Sequence, residues 1–202
     1  MVRRVHYEDL VLDLYVLHHL DKGGGGRKKV AKLLFLLEQD LYPQRIVGPH
    51  YVMKKYPNGP YNGRIETNLE NLTKNGYLKH TNRYYQNSST SKFMKEIDEL
   101  IQENSIIFTQ LDEIIENFGT ESGDKIAEFI YSLPQIGMKR KSFFDYGEFE
   151  VIIDPRQIYN PKFRFFLDDA WYDTIEILLN PKMLLKLKTA IKDCQVGNFT
   201  LL

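Results

Sequence analysis

Residues 59–85 read GPYNGRIETNLENLTKNGYLKHTNRYY, and this spacing predicts a helix followed by a two-stranded ribbon. Pro57-Asn58-Gly59-Pro60 is a strong turn signal. From about Tyr61 to Asn75, the apolar residues Ile65, Leu69 and Leu72 recur on one helical face. Gly76 supplies the left-handed residue that commonly stops a helix. Tyr77–His80 and Arg83–Tyr85 are short runs of strand formers around the polar turn Thr81-Asn82. Helix, glycine, strand, turn, strand is the order of a winged-helix-like core with a small β-wing.

Upstream of this stretch, two more helices are expected. The first runs from about Tyr7 to Leu20, with Leu10, Val11, Leu14 and Leu17 inward. Gly23–Gly26 then interrupt the pattern, and a four-glycine run is entropically expensive to order. The second helix spans about Arg27 to Leu41, carries the stripe Val30, Leu33, Leu34, Leu37, Leu41, and ends at Pro43. His50–Tyr56 is expected to be extended.

Downstream, the apolar positions from Ser91 to Phe118 predict one long helix. Ile97, Leu100, Ile107, Leu111, Ile114 and Phe118 fit a heptad seam with Asn104 at an a position. Two arrangements follow from it: a core helix packed on its neighbour, or a homodimer through residues 91–118 with Asn104 setting the register. A helix over Ser122–Leu133 comes next, closed by Pro134. Residues 135–202 read as a C-terminal extension, an aromatic hairpin or loop followed by helices over about 163–179 and 181–192, packed on the core domain of residues 1–134. The fold class is therefore mainly α within an α+β architecture, with an additional α-rich C-terminal segment.

The totals narrow the function. With 27 Lys/Arg against 27 Asp/Glu the chain has no net charge, which argues against a protein wrapped in nucleic acid. The charge is nonetheless uneven: residues 1–86 hold 14 Lys/Arg and 8 Asp/Glu, and the remainder holds 13 and 19. The single cysteine, Cys194, excludes an internal disulfide. No membrane-spanning stretch and no cleavable leader is visible, so a cytoplasmic location is expected.

Catalytic chemistry is sparse. His18 and His19 are adjacent and point apart on their helix, so they cannot share a metal at i, i+4 spacing. His50 and His80 have no neighbouring ligand types in sequence, and Cys194 has no local basic activation. Gly23–Gly26 before Arg27-Lys28-Lys29 would suit a phosphate cradle at a helix N-terminus. The Walker spacing is absent, and a flexible link leading into a solvated helix face is the expectation. No enzyme activity, no metal and no cofactor are expected.

Binding is the remaining class. If nucleic acid is the partner, Arg64, Asn68, Asn71 and Lys74 on the helix and Lys79 and Arg83 on the wing would meet it. Glu66 and Glu70 share that helix and would repel a polyanion. If a protein is the partner, the aromatic set Phe143, Phe144, Tyr146, Phe149, Trp171 and Tyr172 offers anchors.

Three stretches together carry a family resemblance. They are Lys29-Val30-Ala31-Lys32-Leu33-Leu34-Phe35; Lys55-Tyr56 with Gly59-Pro60-Tyr61, Ile65, Leu69, Leu72 and Gly76-Tyr77-Leu78; and, more faintly, Ile126 through Pro134. They resemble the Panacea antitoxin-like family and related winged-helix-like proteins of the YwgA type, over residues 27–134. Pro57-Asn58 lengthens the family's turn, and the four-glycine link is unusual for it. The resemblance implies an α-rich domain without catalytic machinery. It also implies an antitoxin-type or adaptor role, in which the protein neutralises a partner, such as a toxin, by binding it. The C-terminal segment from Ile177 to Gly197 is similar to the tails of small toxin-binding antitoxins. The alternative function is a dimeric winged-helix DNA-binding transcription regulator.

Overall fold

The computed structural model describes residues 6–20, 25–81, 84–88 and 90–195. The chain divides into two compact units, one ending at Phe166 and the other beginning at Leu167.

Unit one opens with α1 (Tyr7–His19) and α2 (Arg27–Gln44). The α2 helix is the centre of the unit. Its buried set is Val30, Ala31, Lys32, Leu33, Leu34, Phe35, Leu36, Leu37, Glu38 and Leu41, well beyond the single stripe expected. A helix enclosed on most sides must be apolar on most sides, and full burial of each leucine stabilises by roughly 1.5–3 kcal/mol. Pro43 lies within the last turn rather than after it, and Arg45 ends the helix in the left-handed conformation at φ 61°.

Among the described residues the strands form three small sheets, two of which pack against this helix. The chain continues through β1 (Ile46–Val47), β2 (Met53–Tyr56) and β3 (Gly59–Tyr61), then α3 (Gly63–Lys74), β4 (Leu78–Thr81) and β5 (Tyr84–Asn87). The helix and ribbon expected from residues 59–85 are thus present as α3, β4 and β5. Ile65, Leu69 and Leu72 are buried, and Gly76 has φ +81°. The turn at Pro57-Asn58 joins β2 and β3 into a hairpin with Lys55 opposite Pro60. Gly25, the third of the four glycines, is ordered: it exchanges both backbone hydrogen bonds with Tyr85, at 3.1 and 3.0 Å. A Cβ there would lie 2.7 Å from Leu20 Cδ1, so any larger residue would have to displace that side chain.

The long helix expected over 91–118 is three: α4 (Thr90–Glu96), α5 (Asp98–Glu103) and α6 (Ser105–Phe118). The breaks fall at Ile97 and Asn104, whose φ/ψ are −111°/16° and −106°/23°. Asn104 is buried within the chain. Its Nδ2 donates to Leu100 O at 2.9 Å and Phe166 O at 3.0 Å, and its Oδ1 accepts from Phe166 N at 2.6 Å. The seam residues Ile97, Leu100, Ile107, Leu111 and Ile114 are likewise buried in the monomer, and α6 packs on α2. The seam expected for a homodimer through residues 91–118 is therefore consumed by the core.

After α7 (Gly123–Ser132), the chain returns to the sheets as β6 (Val151–Ile153) and β7 (Phe163–Arg164). β6 pairs antiparallel with β2, and β7 pairs parallel with β1. These pairings place residues 135–166 inside unit one, so the boundary lies after Phe166 rather than after Pro134. Residues 163–168, expected to be helical, are instead a strand and a connection.

Unit two contains α8 (Asp169–Leu178) and α9 (Pro181–Gln195), which pack on each other. Asp168 caps α8 by accepting from Trp171 N at 2.8 Å. Among the described residues, no helix is long and apolar enough to cross a membrane.

Candidate functional site

The α3 helix is mostly helix and little reading surface. Asn62 caps it, accepting from Arg64 N at 2.9 Å. Arg64 Nη2 then turns to Asp9 Oδ2 at 2.8 Å, and its guanidinium lies 5.7 Å from the Tyr51 ring centre. Asn68 donates to Asp13 Oδ2 at 3.0 Å and to Tyr51 OH at 2.7 Å. Two of the residues expected to face a nucleic acid therefore face unit one. Asn71, Lys74 and Lys79 are exposed, whereas Arg83 lies outside the described residues.

What turns Arg64 and Asn68 inward is a set of buried acids. Asp9 and Asp13 sit four residues apart on α1 and are fully buried, and Glu38 on α2 is nearly so. His50 N donates to Asp9 Oδ1 at 2.7 Å, and Tyr51 OH donates to Asp13 Oδ2 at 2.6 Å. Burial pushes the Asp13 carboxyl up to about 8, against the lowering effect of Tyr51 and Asn68. Glu38 is also pushed well up, first by burial and then by the nearby Asp9 charge. The Tyr51 backbone N–H is near enough to oppose that rise, yet neither Glu38 carboxylate oxygen has a hydrogen bond of full geometry. Burial thus favours the protonated form of Asp13 and shifts Glu38 in the same direction. The cluster is a closed polar core rather than an open cleft. Its signal in the sequence was a pair of acids at i, i+4 within an otherwise apolar helix.

At the rim of this cluster, His6, Glu8 and His50 each bring one ligand atom within 4.8 Å of the others. The two imidazoles stack with centres 4.7 Å apart, and His50 Nδ1 is 3.5 Å from Glu8 Oε1. Among the described residues, these are the ones close enough together to share a metal ion. The pairing joins His6 to His50 across the sequence and could not be read from local spacing.

The expected aromatic anchors separate into three groups. Phe143 and Tyr146 are core residues, and Tyr146 OH donates to Ile136 O at 2.8 Å. They cannot serve as docking anchors in the folded chain. Phe144 and Phe149 are 66% and 55% exposed, and the Phe149 ring meets Tyr56 edge-on at 5.1 Å. Trp171 and Tyr172 are half-buried on α8 in unit two.

The most prominent apolar surface lies on α9, which the aromatic reading overlooked. None of its 15 residues is buried. Met183, Leu187 and Ile191 recur every four residues on one exposed face, and Leu185, 66% exposed, lies on the other side of the helix. Lys182, Lys186, Lys188 and Lys192 accompany them on the helix, against the single acid Asp193. The result is a basic amphipathic helix displaying its apolar side.

Comparison of the chain with family models, with curated proteins and with solved structures finds no match in any of the three.

Proposed function

We propose that the protein is a non-catalytic interaction module, an antitoxin-type or adaptor protein of the cytoplasm, that binds and neutralises a partner protein. In this reading unit one is a winged-helix-like domain of the Panacea and YwgA type, and unit two presents the docking helix. The order α3, Gly76, β4, β5 supports the domain reading. The observation that carries the functional reading is α9, a helix without a buried residue that exposes Met183, Leu187 and Ile191 on one face. Contiguous exposed apolar surface of this kind marks an interaction site, and anchors one turn apart are the grammar of a helix lying in a groove. The lysines of α9 select a partner whose apolar groove is rimmed by acids.

The test is co-expression with the product of the neighbouring gene. The parent chain is expected to co-purify with it at fixed stoichiometry, and a Leu187→Glu/Ile191→Glu double variant is expected to lose it. Equal retention by both chains would overturn the docking role of α9.

A second reading, a winged-helix regulator of DNA, is favoured by the exposure of Asn71, Lys74 and Lys79 along α3 and β4. The inward turn of Arg64 and Asn68 weakens it, as do Glu66 and Glu70 on the same helix. A duplex titration across salt separates the two readings, because a regulator must show a steep loss of affinity with rising salt.

A further inference from the structure

A cleft of about 190 Å³ lies between the first turns of α2 and the β2–β3 hairpin. Arg27, Lys28 and Lys32 line one side, and Tyr56, Gly59 and Tyr61 line the other. Lys32 is the unusual member. The residue is 2% exposed and lines the cleft, and its Nζ is not among the sealed polar atoms that lack a partner. Burial lowers its pKa, Asp124 opposes that shift, and Lys28 reinforces it. A cation on a largely buried side chain gains from any bound group that supplies the opposite charge.

The hairpin is shaped around this ammonium. Gly59 sits at φ +109°, and a Cβ on it would lie 3.2 Å from Lys32 Cε and 3.8 Å from Nζ. Glycine therefore lets the turn close against the lysine without covering it. The helix end adds to the field. Gly26 provides no side-chain cap, and the first turn of α2 carries no acidic residue. The positive end of an 18-residue helix dipole thus meets three cations.

We propose that this cleft binds the phosphoryl group of a phosphate monoester. The charge balance favours an anion. Arg27 is ion-paired with Glu66, which also accepts from Tyr61 OH at 3.2 Å. Even with Glu66 and the nearby Asp124 counted against the three cations, positive charge remains in excess, which favours an anion such as a phosphate monoester. The Tyr56 and Tyr61 rings meet edge-on with centres 5.6 Å apart and form the wall against which the ester's organic body lies. This site is independent of the docking face on α9, and neither reading requires the other.

The experiment is a calorimetric titration of the full chain with inorganic phosphate, phenyl phosphate and benzoate at constant ionic strength. Phosphate is expected to bind saturably, phenyl phosphate more tightly through the tyrosine wall, and benzoate not to saturate. Lys32→Met is expected to abolish binding, with a melting temperature equal to or above the parent's because a charge on a largely buried side chain is removed. Lys28→Ala, at an exposed position that leaves folding intact, is expected to weaken binding roughly tenfold through loss of a charge-assisted contact. The proposal is overturned if the parent binds neither phosphate, if benzoate binds as well as phenyl phosphate, or if Lys28→Ala binds as the parent does. A free phosphate ligand rather than an ester is indicated if inorganic phosphate binds as tightly as phenyl phosphate, and this would overturn the monoester assignment.

Discussion

The Asn68 side-chain amide donates to the Asp13 carboxyl across 3.0 Å, joining α3 to α1 beneath the surface. Because the same amide also reaches Tyr51 OH at 2.7 Å, Asn68 holds two buried polar groups at once. Asn68→Ala is expected to destabilise the fold by about 1–3 kcal/mol, since it leaves buried partners short of a donor. Urea denaturation measures this. A midpoint unchanged from the parent would mean that Asn68 is a surface residue after all.

Asp13 makes stability depend on pH in a definite direction. Its carboxyl loses its proton near 3.8 when unfolded and near 8 in the fold. Between those values the folded state holds the extra proton, so stability is greatest on the acid side and falls as pH rises. The fall attributable to one such group is at most about 1.4 kcal/mol per pH unit. Asp13→Asn imitates the protonated form and is expected to flatten this slope. Glu38, shifted in the same direction, keeps a residual slope in the variant. Denaturation midpoints of both chains across this window check the sign; a parent that gains stability towards pH 8 relative to Asp13→Asn contradicts the assignment.

Asn104 is expected to act on stability and not on assembly. Replacing it with alanine removes its bonds to both backbone groups of Phe166 and to Leu100 O. A loss of about 1–3 kcal/mol follows from the unpaired buried groups. Light scattering is expected to give the same mass for parent and variant. A change in mass at equal concentration would revive the paired-helix role.

The α9 face should tolerate charge. Leu187→Glu and Ile191→Glu alter exposed positions, and surface changes of this type stay within about 0.5 kcal/mol. Thermal denaturation of the double variant is therefore expected to follow the parent. A large drop in melting temperature would show that α9 is a structural helix rather than a displayed one.

The helix and ribbon of residues 59–85 were legible because their information is local. Ile65, Leu69 and Leu72 set the buried face, and Gly76 stops the helix wherever the rest of the chain lies. The direction of Arg64 and Asn68 was not legible, because it answers to Asp9 and Asp13 on another helix. The heptad seam misled for a related reason. A stripe of spaced apolar residues reports that a face is buried but not which surface buries it, and Asn104 found Phe166 instead of a second copy of itself. The exposed stripe of α9 was missed by weighting aromatic residues over aliphatic ones.

The parallel pairing of Ile46 with Phe163 has a consequence for how the molecule comes into being. One strand of this pair is made early and the other near the end of unit one, so the loop it closes encloses most of the domain. Such a contact forms late, because the entropy of closing the loop must be met before the contact can reward it. During synthesis, α2 and the strands around it must wait, with the edge of β1 open, until residues through Phe166 have emerged. A chain shortened before that point would carry the open edge permanently.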